Sequence, residues 1–272
     1  MSHRENSHAF LIDLDGTMYA GDSRIEHAEP FIGRLRELKL PFLFVTNNSS
    51  RTPEQVAAHL IRMGIAAKPE EIVTSSQATA HYIAVRKPGA KVFVIGEAGL
   101  KSALEGAGLE LVEDRPDYVV QGIDRQFTYD KLARAVQCIM DGAEYVLTNP
   151  DRLLPSDGRL VPGAGSIAAS IQGALQIEPV VIGKPYEPIM RFALERLAFA
   201  EQVWAVGDNP ATDILAGQAT GLRTALVQTG IAAADNVEEL LERSGAAPDL
   251  ICRNLESLLE RLNLHPEGQA SK

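Results

Sequence analysis

Four short polar stretches, each following an apolar run, hold the residue types in this chain that could do chemistry. The first is Asp13-Leu14-Asp15-Gly16-Thr17, after AFLI. Alternation along a strand sends Asp13 and Asp15 to one side. The chain is also leaving the strand here, and Gly16 permits a sharp turn that brings both carboxylates to one opening. One acid can then bind a cation and attack an electrophile while its neighbour exchanges a proton. An ordinary acidic loop is the alternative, and it would bear like-charge repulsion for no structural return.

The second stretch, Thr46-Asn47-Asn48-Ser49-Ser50, follows PFLFV. Hydroxyls, amides and backbone N–H groups at a helix entrance suit a small anion. The same residues are common in turns and N-caps, and Pro53 suits a first helical turn. In the third, Ile182-Gly183-Lys184-Pro185, a lysine carried to the mouth of a parallel sheet can pair with a carboxylate and a phosphoryl oxygen; a solvated surface lysine is the alternative. The fourth is Gly207-Asp208-Asn209-Pro210-Ala211-Thr212-Asp213. Asp208 and Asp213 offer hard oxygen donors, one as a ligand and one as the group that orients it, in the manner Mg²⁺ prefers. Asp213 could instead only cap the next helix.

The elements that must position these stretches alternate. Strand AFLI, helix Glu29–Leu38, strand PFLFV, helix Pro53–Met63 and short strand Glu71–Thr74 read as a parallel sheet covered by helices, which binds ligands at the C-terminal strand ends. PVVIG, QVWAVGD and LRTALVQTG continue that core. Between lie KVFVIG, helix Gly99–Ala107, DYVVQGID, helix Tyr129–Asp141, YVLTNPD and helix Gly165–Gln172, enough for a separate α/β layer. The simplest partition is a core of residues 1–79 and 180–272 with an inserted domain of residues 80–179. VEELLERSG and NLESLLERLN read as surface helices, and HPEGQASK as a frayed end.

With 45% hydrophobic and 23% charged residues among 272, the chain has the balance of a folded globule. Its 26 basic and 36 acidic side chains give a net charge of -10. That field repels polyanions, so nucleic-acid or anionic-membrane binding would need a basic patch the sequence does not display. A small phosphorylated substrate stays compatible, because a cation and a few donors outweigh the global charge at short range. Nowhere is there the run of roughly 20 apolar residues a membrane span needs, and cytoplasmic residence is expected. Cys138 and Cys252, in apolar helical patterns far apart, are expected to be reduced core thiols.

In their order, DLDGT, Thr46, Lys184 and GDNPATD resemble the four motifs of the haloacid dehalogenase (HAD) superfamily of phosphotransferases, over nearly the whole chain. The insert between the second and third motifs, TSSQAT, and the stretch from TNPD to PGAG are similar to the branch holding NagD, the p-nitrophenyl phosphatases and the phosphoglycolate and pyridoxal phosphate phosphatases. The resemblance implies an α/β fold, with a Rossmannoid core and an inserted α/β cap of the C2 type. It also implies Mg²⁺-dependent hydrolysis of small phosphorylated metabolites, with p-nitrophenyl phosphate as an artificial substrate.

Carried onto these residues, Asp13 is the nucleophile that becomes an aspartyl-phosphate. Asp15 protonates the leaving alcohol and then deprotonates water. Mg²⁺ is held by Asp13, the Asp15 backbone carbonyl and Asp208. Thr46, Lys184 and the groups around Asn47 and Asn48 hold phosphoryl oxygens, and Asp213 positions metal-bound water or Lys184. Relatives that attack carbon lack the second aspartate, and pumps of this fold need membrane helices. Transfer to a second hydroxyl remains an alternative, as does a non-catalytic regulatory protein of this fold, which would be favoured by loss of an acid at position 13, 15 or 208. In the cap, Asn149 and Asp151 either face an alcohol-rich substrate or make a turn. Arg125 either meets a second anionic group or is solvated. Tyr186 is the single aromatic expected near the mouth, so sugar phosphates fit as well as nucleotides. Homodimerisation through the cap is an expectation of the resemblance alone.

Overall fold

The structure, a computed structural model, describes residues 8–156, 159–197 and 200–264. HPEGQASK, expected to be a frayed end, lies outside them.

The apolar run at the start of the chain forms strand His8–Ile12, whose last four residues are all buried. Burial on both faces is what a central parallel strand demands, and the run has no polar alternation to oppose it. It pairs in parallel with Gln202–Gly207 on one side and with Phe42–Thr46 on the other. The full sheet has the order Leu250–Cys252, Arg223–Val227, Gln202–Gly207, His8–Ile12, Phe42–Thr46, Ile72–Thr74. Helix Ala28–Glu37 buries Phe31, Ile32 and Leu35. The Phe31 ring meets that of Phe10 edge-on at 5.9 Å, so helix and strand share one aromatic contact. Helix Pro53–Arg62 begins at the expected proline. Its cap is Thr52, whose backbone N–H donates to Gln55 Oε1 at 3.0 Å and whose Oγ1 accepts the Gln55 N–H at 3.4 Å. Capping therefore does not require Asn47 or Asn48.

Among the described residues the chain divides into two compact units. One holds the chain up to Val45, Ala57–Ile72 and the residues from Ala193 onward; the other holds Thr46–Val56 and Val73–Phe192. The second unit contains a five-stranded parallel sheet in the order Val180–Val181, Glu144–Leu147, Tyr118–Gln121, Lys91–Ile95, Glu110–Leu111. Helices Ala98–Gly106, Tyr129–Met140 and Ala164–Leu175 accompany it. Gln121 is fully buried and fully used: Nε2 donates to Gly122 O (2.6 Å) and Ala164 O (3.0 Å), while Oε1 accepts the Tyr145 hydroxyl (2.9 Å). Cys138 and Cys252 are buried free thiols, as expected, and burial pushes both thiols up from the ordinary value.

One expectation fails. PVVIG does not join the sheet containing His8–Ile12: only Val180–Val181 is strand, and it pairs with Val146 and Leu147 in the five-stranded sheet. Three β-branched residues before a glycine say that an edge will be extended; which sheet offers the free edge is a property of the rest of the chain. The helix expected after GDNP also differs, starting as a π-helical turn, Pro210–Ile214, before Leu215–Ala219. No helix among the described residues is long and apolar enough to cross a membrane.

Candidate active site

Register builds the acidic cluster. Ile12 lies opposite Val206, so Asp13 and the pair Gly207-Asp208 leave neighbouring strands together, and the Asp13 N–H donates to Val206 O at 2.8 Å. Asp208 is 1% exposed. Its Oδ1 accepts the Thr17 hydroxyl at 3.4 Å and its Oδ2 accepts the Ile231 N–H at 2.5 Å. Gly16 has φ 86°, and a Cβ at Gly16 or at Gly230 would collide with Asp208 Oδ2. Gly16 thus serves twice, for the left-handed turn and for the close approach of the carboxylate. Its carbonyl accepts the Thr229 hydroxyl at 2.7 Å, which ties the turn to the loop that also feeds Asp208.

Asp213 stands on the π-helical turn, a local geometry that proteins often reserve for functional positions. Its Oδ2 accepts the Asn209 N–H at 3.1 Å. Carboxylate oxygens of Asp13, Asp208 and Asp213 all lie within 4.8 Å of one another. Three acids gathered this closely repel one another unless a cation or protons intervene, and all-oxygen donors suit a hard divalent ion. The group can hold one. Asp15 is not a member of it: its side chain is exposed and its Oδ2 accepts the Tyr19 hydroxyl at 3.3 Å. Tyr19 in turn packs edge-on against His59, ring centroids 5.0 Å apart.

The second unit holds the other predicted residues. Thr46 is buried, and its Oγ1 accepts the Asn48 N–H at 3.1 Å. Asn48 Oδ1 accepts the Ser50 N–H and Arg51 N–H, both at 3.0 Å, so this side chain shapes the loop. Asn47 Oδ1 accepts the Lys184 N–H at 2.8 Å, while its Nδ2 donates to Lys184 O at 3.0 Å and to Asp151 Oδ2 at 3.2 Å. Asn149 is buried; its Nδ2 donates to Asn47 O (3.0 Å) and Thr148 Oγ1 (3.1 Å), and its Oδ1 accepts the Asp151 N–H (3.3 Å). Lys184 itself is 4% exposed and precedes a cis peptide bond to Pro185.

Sequence reasoning treats Asn47, Asn149, Asp151 and Lys184 as separate candidates, whereas the structure joins them in one hydrogen-bonded net. It also misses Ser75 and Ser76. Their hydroxyls donate to Asn47 O at 2.7 Å and Ser49 O at 3.0 Å, so TSSQAT props the loop after Thr46. The available signal was the pair of hydroxyls immediately before a helix. Arg125 is paired with Glu97 through contacts at 3.0 and 2.8 Å, and Tyr186 is exposed.

Comparison with known proteins agrees with this geometry. Residues 10–110 match the model of the haloacid dehalogenase-like hydrolases, and residues 181–258 match a second model of HAD-hydrolase-like proteins. The chain is 44% identical over 241 residues to the 5'-nucleotidase YutF of Bacillus subtilis, covering 88% of this chain and 94% of that one. It is 47% identical over 232 residues to an acid sugar phosphatase of Staphylococcus aureus, covering 85% and 90%. Among solved structures, a p-nitrophenyl phosphatase from Archaeoglobus fulgidus superposes with a TM-score of 0.88 at 35% identity, over 94% of this chain and all of that one. A glycerol phosphate phosphatase from Mycobacterium tuberculosis, solved with calcium, gives 0.82 at 36% identity, over 92% and 74%. Matched by family models at both ends, by relatives at 44% and 47% identity and by solved structures over most of its length, the chain belongs to the haloacid dehalogenase superfamily, among its phosphatases of the NagD and p-nitrophenyl phosphatase branch.

Proposed function

We propose that this enzyme hydrolyses small phosphomonoesters, sugar phosphates or chemically similar metabolites, through an aspartyl-phosphate formed on Asp13. The observation that carries the reading is the gathering of Asp13 with Asp208 and Asp213, all offering oxygens within 4.8 Å of one another. In the proposal Asp13 attacks phosphorus in line and the P–O bond to the alcohol breaks. Asp15 protonates that alkoxide, a poor leaving group that gains typically ~10²–10⁴-fold from a positioned acid, and then takes a proton from the water that opens the acyl phosphate. The exposure of Asp15 and its hydrogen bond from Tyr19 suit a group that must reach both leaving group and water.

Mg²⁺ is the proposed ion; Asp13, the Asp15 carbonyl and Asp208 would hold it, and Asp213 would orient those groups or Lys184. When bound it offsets the repulsion between a carboxylate nucleophile and an anionic substrate. Thr46, Lys184 and the N–H groups about Asn47 and Asn48 are the proposed holders of phosphoryl oxygens. Residues 1–79 and 180–272 form the proposed catalytic core and residues 80–179 the proposed cap, with Asn149 and Asp151 as its candidates for contact with substrate. The relatives' names span a nucleotidase, a sugar phosphatase and a glycerol phosphate phosphatase. What those substrates share is a phosphomonoester on a small hydroxyl-bearing molecule, and that class is the proposed substrate.

Phosphate release tests it, measured on sugar phosphates, glycerol phosphate, phosphoglycolate, pyridoxal phosphate, nucleoside monophosphates and p-nitrophenyl phosphate, with Mg²⁺ and with chelator. Metal-dependent release, led by an aliphatic phosphate, is expected. Absence of release from every ester would overturn the reading, and release undiminished by chelator would overturn its metal.

A further inference from the structure

We infer that Asn47 is a positioning residue that fixes Lys184, rather than a side-chain ligand of the substrate phosphate. The inference rests on the phosphatase reading, which places Lys184 on a phosphoryl oxygen.

The carboxamide of Asn47 meets both backbone groups of the lysine. Oδ1 accepts the Lys184 N–H at 2.8 Å, and Nδ2 donates to the Lys184 carbonyl at 3.0 Å. Nδ2 has one proton more, and it goes to Asp151 Oδ2 at 3.2 Å. Both donors of the amide are thus engaged, so its side chain has none left to offer a phosphate. The partners also fix its orientation, since a flipped amide would set oxygen against two acceptors.

The bracket is itself held. Asn47 O accepts the Ser75 hydroxyl at 2.7 Å and Asn149 Nδ2 at 3.0 Å. Gly183 completes the fit, because a Cβ there would run into Asn47 Oδ1 and Thr148 O. Lysine is a flexible stem carrying a point charge, and clamping both of its backbone polar groups limits where the ammonium can go. Side chains of other types fail in defined ways: aspartate keeps the acceptor but sets a second carboxylate against Asp151, and alanine supplies neither bond.

A double-mutant cycle tests the inference, using Asn47→Ala, Lys184→Ala and the two combined. Readouts are kcat and KM for p-nitrophenyl phosphate and the inhibition constant of inorganic phosphate. A displacement of about 1 Å at a reacting group can cost ~10²-fold, so a loss of that order in kcat/KM is expected for Asn47→Ala in the parent. In the Lys184→Ala background the same change should cost less than about twofold, because the residue it positions is gone. Weakening of phosphate inhibition should follow the same non-additive pattern. Amide exchange at Lys184, followed by mass spectrometry, should quicken in Asn47→Ala.

Losses that multiply in the double variant would show that Asn47 acts on the substrate independently, and would overturn the inference while leaving the phosphatase reading intact. A parent protein that releases no phosphate from any ester removes the reading and the inference with it. Should Asn47→Ala fail to fold, Asn47→Ser, which adds no charge and is too short to meet both backbone groups of Lys184, enters the same cycle with the same expectations.

Discussion

The acidic cluster and the lysine net are held by different means. Around Asp208 and Asp213 the restraints come largely from the main chain: N–H groups of Ile231 and Asn209, and glycines at 16, 207 and 230 where a Cβ would strike a carboxylate. Around Lys184 a side chain does the holding, with one carboxamide meeting N–H and carbonyl together. Main-chain donors aimed at carboxylates stabilise negative charge without adding another titrating group. A side-chain bracket can place a flexible residue but is a single point of failure. The acidic region should therefore be vulnerable at its glycines and its charges, and the lysine region at one amide.

Asp13→Asn gives the largest effect to set against that contrast. It removes the proposed nucleophile with almost no change in volume, and turnover should fall by on the order of 10⁴-fold or more while circular dichroism stays unchanged. Steady hydrolysis by this variant would remove Asp13 from the mechanism. Gly16→Ala comes next. A side chain at φ 86° against a buried carboxylate should cost about 1–3 kcal/mol in denaturant unfolding and lower activity as well. Parent-like stability would show that the acid has room to move and is less tightly fixed than its contacts imply.

A smaller effect, but of opposite sign in two conditions, is expected of Asp213→Asn. Removing one of three mutually repelling acids should raise the melting temperature in chelator and shrink the rise caused by Mg²⁺. In the parent, saturation to 100 times Kd should stabilise by about 2.7 kcal/mol. Equal melting temperatures for parent and variant in chelator would mean that the acids do not repel in the metal-free protein.

The smallest effect lies at the start of the first strand. The Trp204 indole N–H donates to His8 Nδ1 at 3.1 Å, and burial pushes the imidazole below its ordinary value, with Glu201 acting weakly against that. A depressed histidine favours the folded state while neutral. Its contribution is therefore complete above the ordinary value near 6.5 and fades as the pH falls through the lower folded value. Thermal melts of the parent and His8→Gln should converge between pH 7.5 and pH 5. A gap that widens on acidification would reverse the sign assigned here.

Much of the acidic region was legible because it follows from local rules. An apolar run ending in two acids and a glycine at position 16 announces a strand, a turn and a site, and Gly207-Asp208 repeats the pattern. What could not be read was which distant backbone would serve each carboxylate: the Ile231 N–H comes from a loop whose sequence, TGIAAA, has no chemical mark of its own. The lysine region was less legible for the same reason. Asn47 and Lys184 are 137 positions apart, and their meeting depends on Val180–Val181 choosing the edge beside Glu144–Leu147. An asparagine bracket and an asparagine turn look identical in one dimension.

The pairing that joins Asp13 to Asp208 also sets a schedule for synthesis. Thr17 and Asp208 are 191 positions apart, and the strand beside His8–Ile12 on that side is Gln202–Gly207. Until the ribosome has delivered that segment, one of the most apolar strands in the molecule presents an uncovered edge, a hazard for pairing with other chains. The emerging protein therefore holds Asp13 long before it holds Asp208, and in the interval it is expected to be inert and adhesive. A chain truncated before Gln202 should be insoluble rather than partly active.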